Sequence, residues 1–290
     1  MRRQKLGDRM IVVIGALVVA SVAALVGFAY LVASRVDENS ATRELAVARG
    51  ELIELAERMK AELATFTRWE EAVQRTAHTR DPAWIHRYLG LRLYHAGGHH
   101  RTYVLNQTDE PIYAAKDGVM VSPDAFRAIH EKVAPFVQSV RHAHAVDFAY
   151  RLSSSSASAG GIEPPAEPSV EVGFRRIEGR PALLGVMTIV PALRSSANHS
   201  SPSIAVSAAF LGGNSLTKLA RELGTDNLTV TPEKPGGGRL ALEVPLGAQE
   251  APAWVAWSPR TPGTAMLNRL LPALATVVAL LIGITALVLF

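Results

Sequence analysis

The chain has 290 residues, of which 48% are hydrophobic, and it carries a formal net charge of +4. It contains no cysteine, which excludes disulfide bonds and metal sites with cysteine ligands. Much of the positive charge lies in the N-terminal tail and the rest of the chain mixes both signs, so the composition indicates no nucleic-acid-binding surface.

Two apolar runs are long enough to cross a lipid bilayer, which takes about 20 helical residues. Met10 to Ser34 and Leu270 to Phe290 contain no charged residue. The first run exceeds the apolar stretch of about 7–15 residues in a signal peptide, so we predict an uncleaved membrane helix. Basic residues are concentrated in residues 1–9, a feature typical of the cytoplasmic side. We therefore predict two spans, with both termini in the cytoplasm.

The segment after the first span has apolar residues at a seven-residue spacing. Leu45, Leu52, Met59 and Phe66 follow this spacing, and the segment contains no proline. The pattern is typical of a short coiled-coil stalk that would pair two copies of the chain. It equally fits one amphipathic helix packed on its own domain. Both alternatives predict a helix over residues 35–66.

The next segment begins with patterns of a hairpin and a helix. Two short β-type runs, Thr102–Leu105 and Ile112–Ala115, are separated by turn residues and predict a hairpin. Ser122 then precedes Pro123 and a run with apolar residues at helical spacing. This arrangement predicts a helix with Ser122 as its N-cap.

The remainder is rich in strand signals. Residues 153–169 are of low complexity, and we predict a disordered loop inside one domain. The predicted strands lie in VEVGFRRI, PALLGVMTIV, SIAVSAAF, DNLTV, RLALEV and AWVAW. The segment NSLTKLARELG predicts a short helix capped by Asn214 or Ser215. The fold class is therefore α+β, with a mainly antiparallel sheet and flanking helices.

The predicted organisation combines these elements. It comprises a cytoplasmic tail (1–9), a first transmembrane helix (10–34), a stalk helix (35–66), a periplasmic domain (67–266) and a second transmembrane helix (267–290).

Several blocks of the sequence between the spans resemble the fourth class of CHASE domains. The longest block runs from Arg68 to Gly118, and EGRPALLGVMTIVP and WSPRTPG resemble later blocks. The matching residues of the first block are Trp69, Glu70, Glu71, Ala72, Asp81, Trp84, Leu89, Gly90, Val104, Leu105, Tyr113, Asp117 and Gly118. The family commonly has aspartate first where Glu70 and Glu71 stand.

The resemblance implies an extracytoplasmic sensory domain with a PAS-like fold, held between two membrane helices of a bacterial inner-membrane receptor. Such receptors usually continue into cyclic di-GMP enzymes of the GGDEF and EAL types or into histidine kinases. The resemblance and the second span at the very end together give the expectation that this chain is the input half of a longer protein. The output would then lie beyond Phe290.

No motif of an enzyme is present in the sequence. We find no dinucleotide-binding, P-loop, zinc-protease or serine-hydrolase pattern, and we expect neither catalysis nor a cofactor in this chain. Glu70 and Glu71 are adjacent, so on a helix they point about 100° apart and do not form an acid and base pair. Our candidates for ligand binding are Trp69, Glu70, Glu71, Trp84, Tyr103 and Tyr113.

Three histidines in YHAGGHH are weak candidates for a metal site. His95 and His99 are four residues apart, a spacing that chelates a metal when it lies on a helix. Gly97 and Gly98 between them instead predict a turn, and with it a polar loop before a strand. We expect no metal, and we note His95, His99 and His100 as the residues to check.

Two functions follow from the sequence. The first is a signal-sensing module that passes a ligand- or partner-induced shift through two membrane helices to a cytoplasmic output, as a homodimer in contact with membrane lipid. The signal would be a small molecule or a protein. The alternative is a membrane-anchored structural or assembly protein with a periplasmic docking domain.

Overall fold

The computed structural model describes residues 2–155, 167–191, 201–225 and 227–289. The chain divides into two compact units. One, the apolar unit, contains Met1–Val47, Gly238–Leu240 and Ser258–Phe290. The other, the sheet unit, contains Ala48–Gly237 and Ala241–Trp257.

Seven α-helices and nine strands are present in the described ranges. The helices are α1 (Arg2–Thr67), α2 (Glu70–Val73), α3 (Pro82–Ile85), α4 (Leu91–Gly97), α5 (His130–Ser155), α6 (Asn214–Leu223) and α7 (Pro262–Leu289). The strands are β1 (Arg101–Leu105), β2 (Pro111–Lys116), β3 (Val119–Val121), β4 (Val170–Ile177), β5 (Arg180–Thr188), β6 (Ile204–Phe210), β7 (Thr229–Thr231), β8 (Leu240–Val244) and β9 (Ala253–Trp257). Turns of π-helix follow α2 and α3 at Gln74–His78 and His86–Gly90, and a 3-10 helix spans Pro123–Ala128.

Two of these helices are long and apolar enough to cross a membrane. They are the part of α1 from Gly15 to Thr67 and the part of α7 from Pro262 to Leu280. Leucine, valine and phenylalanine side chains on their surfaces are exposed, as expected where lipid replaces protein as the neighbour. This composition agrees with the two spans predicted from the sequence.

A six-stranded sheet with the order β3-β2-β1-β6-β5-β4 forms the centre of the sheet unit. Its neighbouring strands are antiparallel, which confirms the predicted hairpin and the α+β class. One face packs against α5 and the 3-10 helix through Phe126, Val133 and Phe136. The other face packs against the end of α1 and the short helices α2 to α4. The sheet is therefore covered on both sides.

The end of α1 approaches the sheet closely at Gly185 on β5. A Cβ atom there would lie 2.7 Å from Leu63 Cδ1 and 2.8 Å from Met59 Sδ, so only glycine fits. Met59 and Leu63 are buried, and Phe66 packs against the same cluster. From Met59 onwards the seven-residue spacing therefore reflects a helix packed on its own domain. The coiled-coil alternative stays a prediction for the preceding turns.

Two local predictions need correction. Ser122 does cap a helix, and its Oγ accepts from Asp124 N at 3.3 Å, but that helix is a 3-10 helix that ends before α5 begins. The predicted caps of α6, Asn214 or Ser215, are wrong, because Gly213 is the N-cap and makes no side-chain bond. A glycine fits there because its backbone has φ of 51°.

The region after α5 and the last strands also differ from the prediction. Residues 153–155 of the predicted disordered loop belong to α5, and residues 156–166 lie outside the described residues. β7 and β8 are consecutive in the chain but are not neighbours, since β9 lies between them in a separate three-stranded sheet. Strand order depends on contacts across the domain and not on the local pattern.

Replacing Leu63 by alanine tests the packing of α1 on the sheet. Leu63 is completely buried, so Leu63→Ala should lower the free energy of unfolding by about 2–5 kcal/mol through lost burial and a cavity. Ile53 lies on the same helix but is 59% exposed, and Ile53→Ala should change stability by less than about 0.5 kcal/mol. Urea unfolding followed by tryptophan fluorescence measures both. Equal effects of the two variants would contradict the described packing.

Candidate functional site

A cleft of about 300 Å³ opens between α1, α4 and α6 in the sheet unit. Leucine and methionine side chains of α1, β5, α6 and the segment after β6 form much of its wall. They are Leu52, Leu55, Met59, Leu183, Leu211, Leu216 and Leu219. Polar side chains are few and lie at defined places, an arrangement typical of small-molecule sites. One wall of the cleft is the helix α1, which also carries the first apolar run.

The rim of the cleft carries ion pairs between α1 and α6. Lys218 Nζ lies 3.0 Å from Glu51 Oε2 and 2.9 Å from Glu54 Oε1. Arg58 also donates to Glu54, at 2.8 Å. All these side chains are partly exposed, so solvent screens each pair and the pairs contribute little to stability. Their position nevertheless fixes α6 beside α1.

His99 lies at the floor of the cleft and connects α1 to the central sheet. Its Nδ1 is 2.6 Å from Ser207 Oγ on β6, and its Nε2 is 2.9 Å from Glu62 Oε2 on α1. Gly97 passes so close that a Cβ atom there would lie 2.6 Å from both Glu62 Oε2 and His99 Nε2. The chain therefore places a buried imidazole between a carboxylate and a hydroxyl.

The hydroxyl in this arrangement is not presented to a substrate. Ser207 is wholly buried in the middle of β6, and its Oγ also lies 3.2 Å from the carbonyl oxygen of Arg101. A nucleophilic serine must reach the reacting atom of a substrate, which this one does not. We call the contact of His99 with Glu62 and Ser207 the histidine floor. It is a structural and electrostatic feature of the cleft.

The three histidines considered for a metal site have different environments. His95 is exposed at the end of α4, and Gly98 follows in a left-handed conformation, so the predicted turn is confirmed. His100 Nδ1 accepts from Phe210 N at 3.3 Å, and burial lowers the pKa of this imidazole. Within the described parts of the chain, no three histidine, aspartate or glutamate side chains are grouped to hold a metal ion.

Trp69 and Trp84, two of the ligand candidates, lie side by side. Their ring centroids are 5.2 Å apart, and Tyr88 stacks on Trp84 at 5.0 Å. At these separations the rings pack on one another as a hydrophobic cluster. The sequence analysis missed Tyr88, although its position four residues after Trp84 on a helical segment was a usable signal.

Glu70 and Glu71 begin α2 next to this aromatic cluster. Glu71 pairs with Arg75 at 3.5 Å, and Arg75 also contacts Asp81 at 3.3 Å. Asp81 in turn caps α3 by accepting from Trp84 N at 3.0 Å. Carboxylates at the N-terminus of a helix are favoured by the helix dipole. A ligand role of the two glutamates stays a prediction.

The two tyrosines predicted to bind a ligand lie on opposite faces of the sheet. Tyr113 packs on the α1 side, where its hydroxyl lies 2.9 Å from His86 Nδ1, and burial raises its pKa. Tyr103 packs on the α5 side at 5.4 Å from the ring of Phe126, and burial raises its pKa to about 12. The six candidates therefore do not surround one site.

A second feature lies within the apolar unit, where α1 meets the start of α7. The carboxylate of Asp37 accepts from Gly263 N at 2.7 Å, from Thr264 N at 3.0 Å and from Thr264 Oγ1 at 2.5 Å. A carboxylate of α1 thus caps the N-terminus of α7, where unpaired amide groups favour negative charge. We call this contact the α1–α7 clasp.

The backbones of the two helices touch beside the clasp. A Cβ atom on Gly263 would lie 2.1 Å from the carbonyl oxygen of Ala33, so no larger residue fits without separating the helices. Glu44 of α1 adds a further bond by accepting from Arg260 N at 3.1 Å. These contacts join the end of the first apolar run and the residues after it to the segment that precedes the second apolar run.

The model of the CHASE4 domain matches residues 53–231, which is more than half of the chain. The matched region contains His99, the aromatic cluster, the six-stranded sheet and the cleft except for Glu51 and Leu52. No curated protein matches the sequence.

Replacing Gly97 by alanine tests the floor of the cleft. The added Cβ atom would force Glu62 and His99 apart, so Gly97→Ala should lower the free energy of unfolding by about 1–3 kcal/mol. Gly50 on α1 has open space around it, and Gly50→Ala should raise stability by roughly 0.5–1 kcal/mol. Urea unfolding gives both values. A neutral or stabilising Gly97→Ala would contradict the close contact at the floor.

Proposed function

The chain belongs to the CHASE4 domain family, and from this membership we propose that it is the signal-sensing input module of a bacterial two-pass membrane receptor. CHASE4 is an extracytoplasmic sensory domain and not a catalytic one, and the chain adds two apolar helices that fit a membrane receptor. The protein is thus a membrane protein with a sensory domain. The proposal places the domain in the periplasm and the chain in the inner membrane, with both termini in the cytoplasm.

The α1–α7 clasp is the observation that carries this proposal. A receptor of this kind must convert a change in its outer domain into a change between its membrane helices. Asp37 binds three donors at the start of α7, and Gly263 lies directly against Ala33. A shift of α1 therefore acts on α7 through bonds that depend on short distances.

The cleft is the place where we propose that a signal acts on α1. A ligand or partner changes a two-state equilibrium only by the difference in its affinity for the two states. The cleft supports such a difference because Glu51, Arg58 and Glu62 of α1 line it together with α6 and the histidine floor. A ligand or partner that contacts both α1 and α6 in the cleft favours one position of α1.

The proposed output is synthesis or breakdown of cyclic di-GMP, or a histidine kinase, as the resemblance implies. We also propose a homodimer, in which the exposed faces of two α1 helices meet in parallel. Leu45, which precedes the part of α1 that lines the cleft, would contribute to that contact.

Fusions to alkaline phosphatase test the orientation in the membrane. The enzyme is active only after export, because it needs disulfide bonds that form in the periplasm. A fusion after Tyr150 should be active and a fusion after Arg9 inactive, as measured by enzyme activity of intact cells. The reverse pattern would place the sheet unit in the cytoplasm and contradict the proposal.

Replacing Asp37 by asparagine tests the coupling through the clasp. We propose to join residues 1–290 to a diguanylate cyclase and to measure cyclic di-GMP in cells. Asp37→Asn removes the charge and one acceptor from the clasp, so the output should change at least about fivefold, equivalent to about 1 kcal/mol.

Glu38→Gln is the matched control for this experiment. Glu38 is the next residue and forms an exposed ion pair with Arg35, so its loss should leave the output unchanged. Equal output from wild type, Asp37→Asn and Glu38→Gln would instead favour a membrane-anchored assembly protein, in which the helices serve as anchors without transmission.

A further inference from the structure

The Oγ of Ser207 lies within hydrogen-bond distance of two groups but has only one hydroxyl hydrogen to donate. Its Oγ is 2.6 Å from Nδ1 of His99 and 3.2 Å from the carbonyl oxygen of Arg101. If the hydroxyl donates to His99, then Nδ1 accepts and carries no proton. If it donates to Arg101, then Nδ1 must carry a proton and donate to Ser207. The geometry is compatible with both states.

The contact of the other ring nitrogen, Nε2, determines the charge of the imidazole in each state. Nε2 of His99 lies 2.9 Å from Glu62 Oε2, so it donates its proton to the ionised carboxylate. The ring is neutral when Ser207 donates to it and is an imidazolium when Ser207 turns to Arg101. The same heavy-atom positions therefore accommodate one additional proton, taken from solvent.

Solvent reaches this group through Glu62. The side chain of Glu62 is 24% exposed and lines the cleft, whereas that of His99 is 1% exposed. The additional proton of the imidazolium lies on Nδ1, because Nε2 already carries the proton that it donates to Glu62. Its uptake therefore requires a local opening that exposes the ring to the water of the cleft beside Glu62.

The charges around the ring come from every neighbouring element. They are Glu51 and Arg58 on α1, Tyr94 and His95 on α4, Lys218 on α6, and His100 and Arg101 at the start of β1. Arg101 and Lys218 are themselves paired with carboxylates. Glu62 is therefore the charged group in direct contact with His99, and it favours the imidazolium.

We propose that Glu62, His99 and Ser207 form a proton-binding site, so that the domain senses the pH on its side of the membrane. The proposal rests on the sensory function proposed above and names its signal. Histidine is the side chain that ordinarily changes charge between about pH 5 and 8.

Proton uptake strengthens the attachment of α1 to the sheet. In the protonated state an imidazolium faces the carboxylate of Glu62, and such charge-assisted bonds are roughly twice as strong as neutral ones. Glu62 belongs to α1 and Ser207 to β6, so the attachment is strongest at low pH and weakens as pH rises. This difference between two states is what a sensor requires.

Hydrogen exchange of the end of α1 tests the proposal in the full chain, held in lipid nanodiscs. After correction for intrinsic exchange, amides of residues 55–66 should exchange about three- to tenfold more slowly at about pH 5.5 than at about pH 8 in the wild type. The matched control His95→Gln removes an exposed histidine of the same cleft and should keep this dependence. His99→Gln should abolish it.

A pH dependence that persists in His99→Gln, or that is absent from the wild type, would overturn the proposal. If His99→Gln does not fold, Glu62→Gln gives the same decision, because a neutral amide has no charge to favour the imidazolium. The dependence should then fall at least about threefold. The two proposals can fail separately. If exchange shows no His99-dependent change with pH while Asp37→Asn still changes the cyclic di-GMP output, the proton is not the signal but the sensory function is retained.

Discussion

The close approach of α1 to the sheet at Gly185 is the constraint on which the sheet unit depends. Because a side chain there would collide with Leu63 and Met59, glycine allows the helix to lie directly on β5. Once the helix is in this position, Glu62 reaches His99 and the leucine wall of the cleft is complete. The packing that stabilises the domain therefore also builds its candidate site.

The polar contacts along α1 differ in how much they contribute to stability. The ion pairs between Lys218 and α1 at the cleft rim are solvated, and they position α6 more than they stabilise it. The bond of Glu62 to His99 reaches a buried ring with few alternative partners, so a small displacement costs more there. The bonds of Asp37 to α7 are partly exposed, and the close contact beside them is that of Gly263 with the backbone of Ala33. One helix thus carries a close contact in each unit, and this supports a sensory module over a passive anchor.

The sequence predicted those elements whose cause is local. Long apolar runs, the β1–β2 hairpin and the strands β4 to β6 follow from composition, alternation and turn residues. The site was harder to predict, because the contact of His99 with Glu62 joins residues 37 positions apart. Tyr103 and Tyr113 were named together as ligand candidates, but they lie on opposite faces because the hairpin register opposes Tyr103 to Ala114 and Tyr113 to Val104.

The distance between α1 and α7 in the full chain tests the central claim most directly. The chain has no native cysteine, so spin labels on Val47→Cys and Met266→Cys, both in the apolar unit, report that distance by pulsed electron resonance. If a change at the cleft reaches the membrane helices, adding Gly97→Ala in the sheet unit should shift the distance distribution, and adding Gly50→Ala should not. Identical distributions in all three proteins would contradict the account.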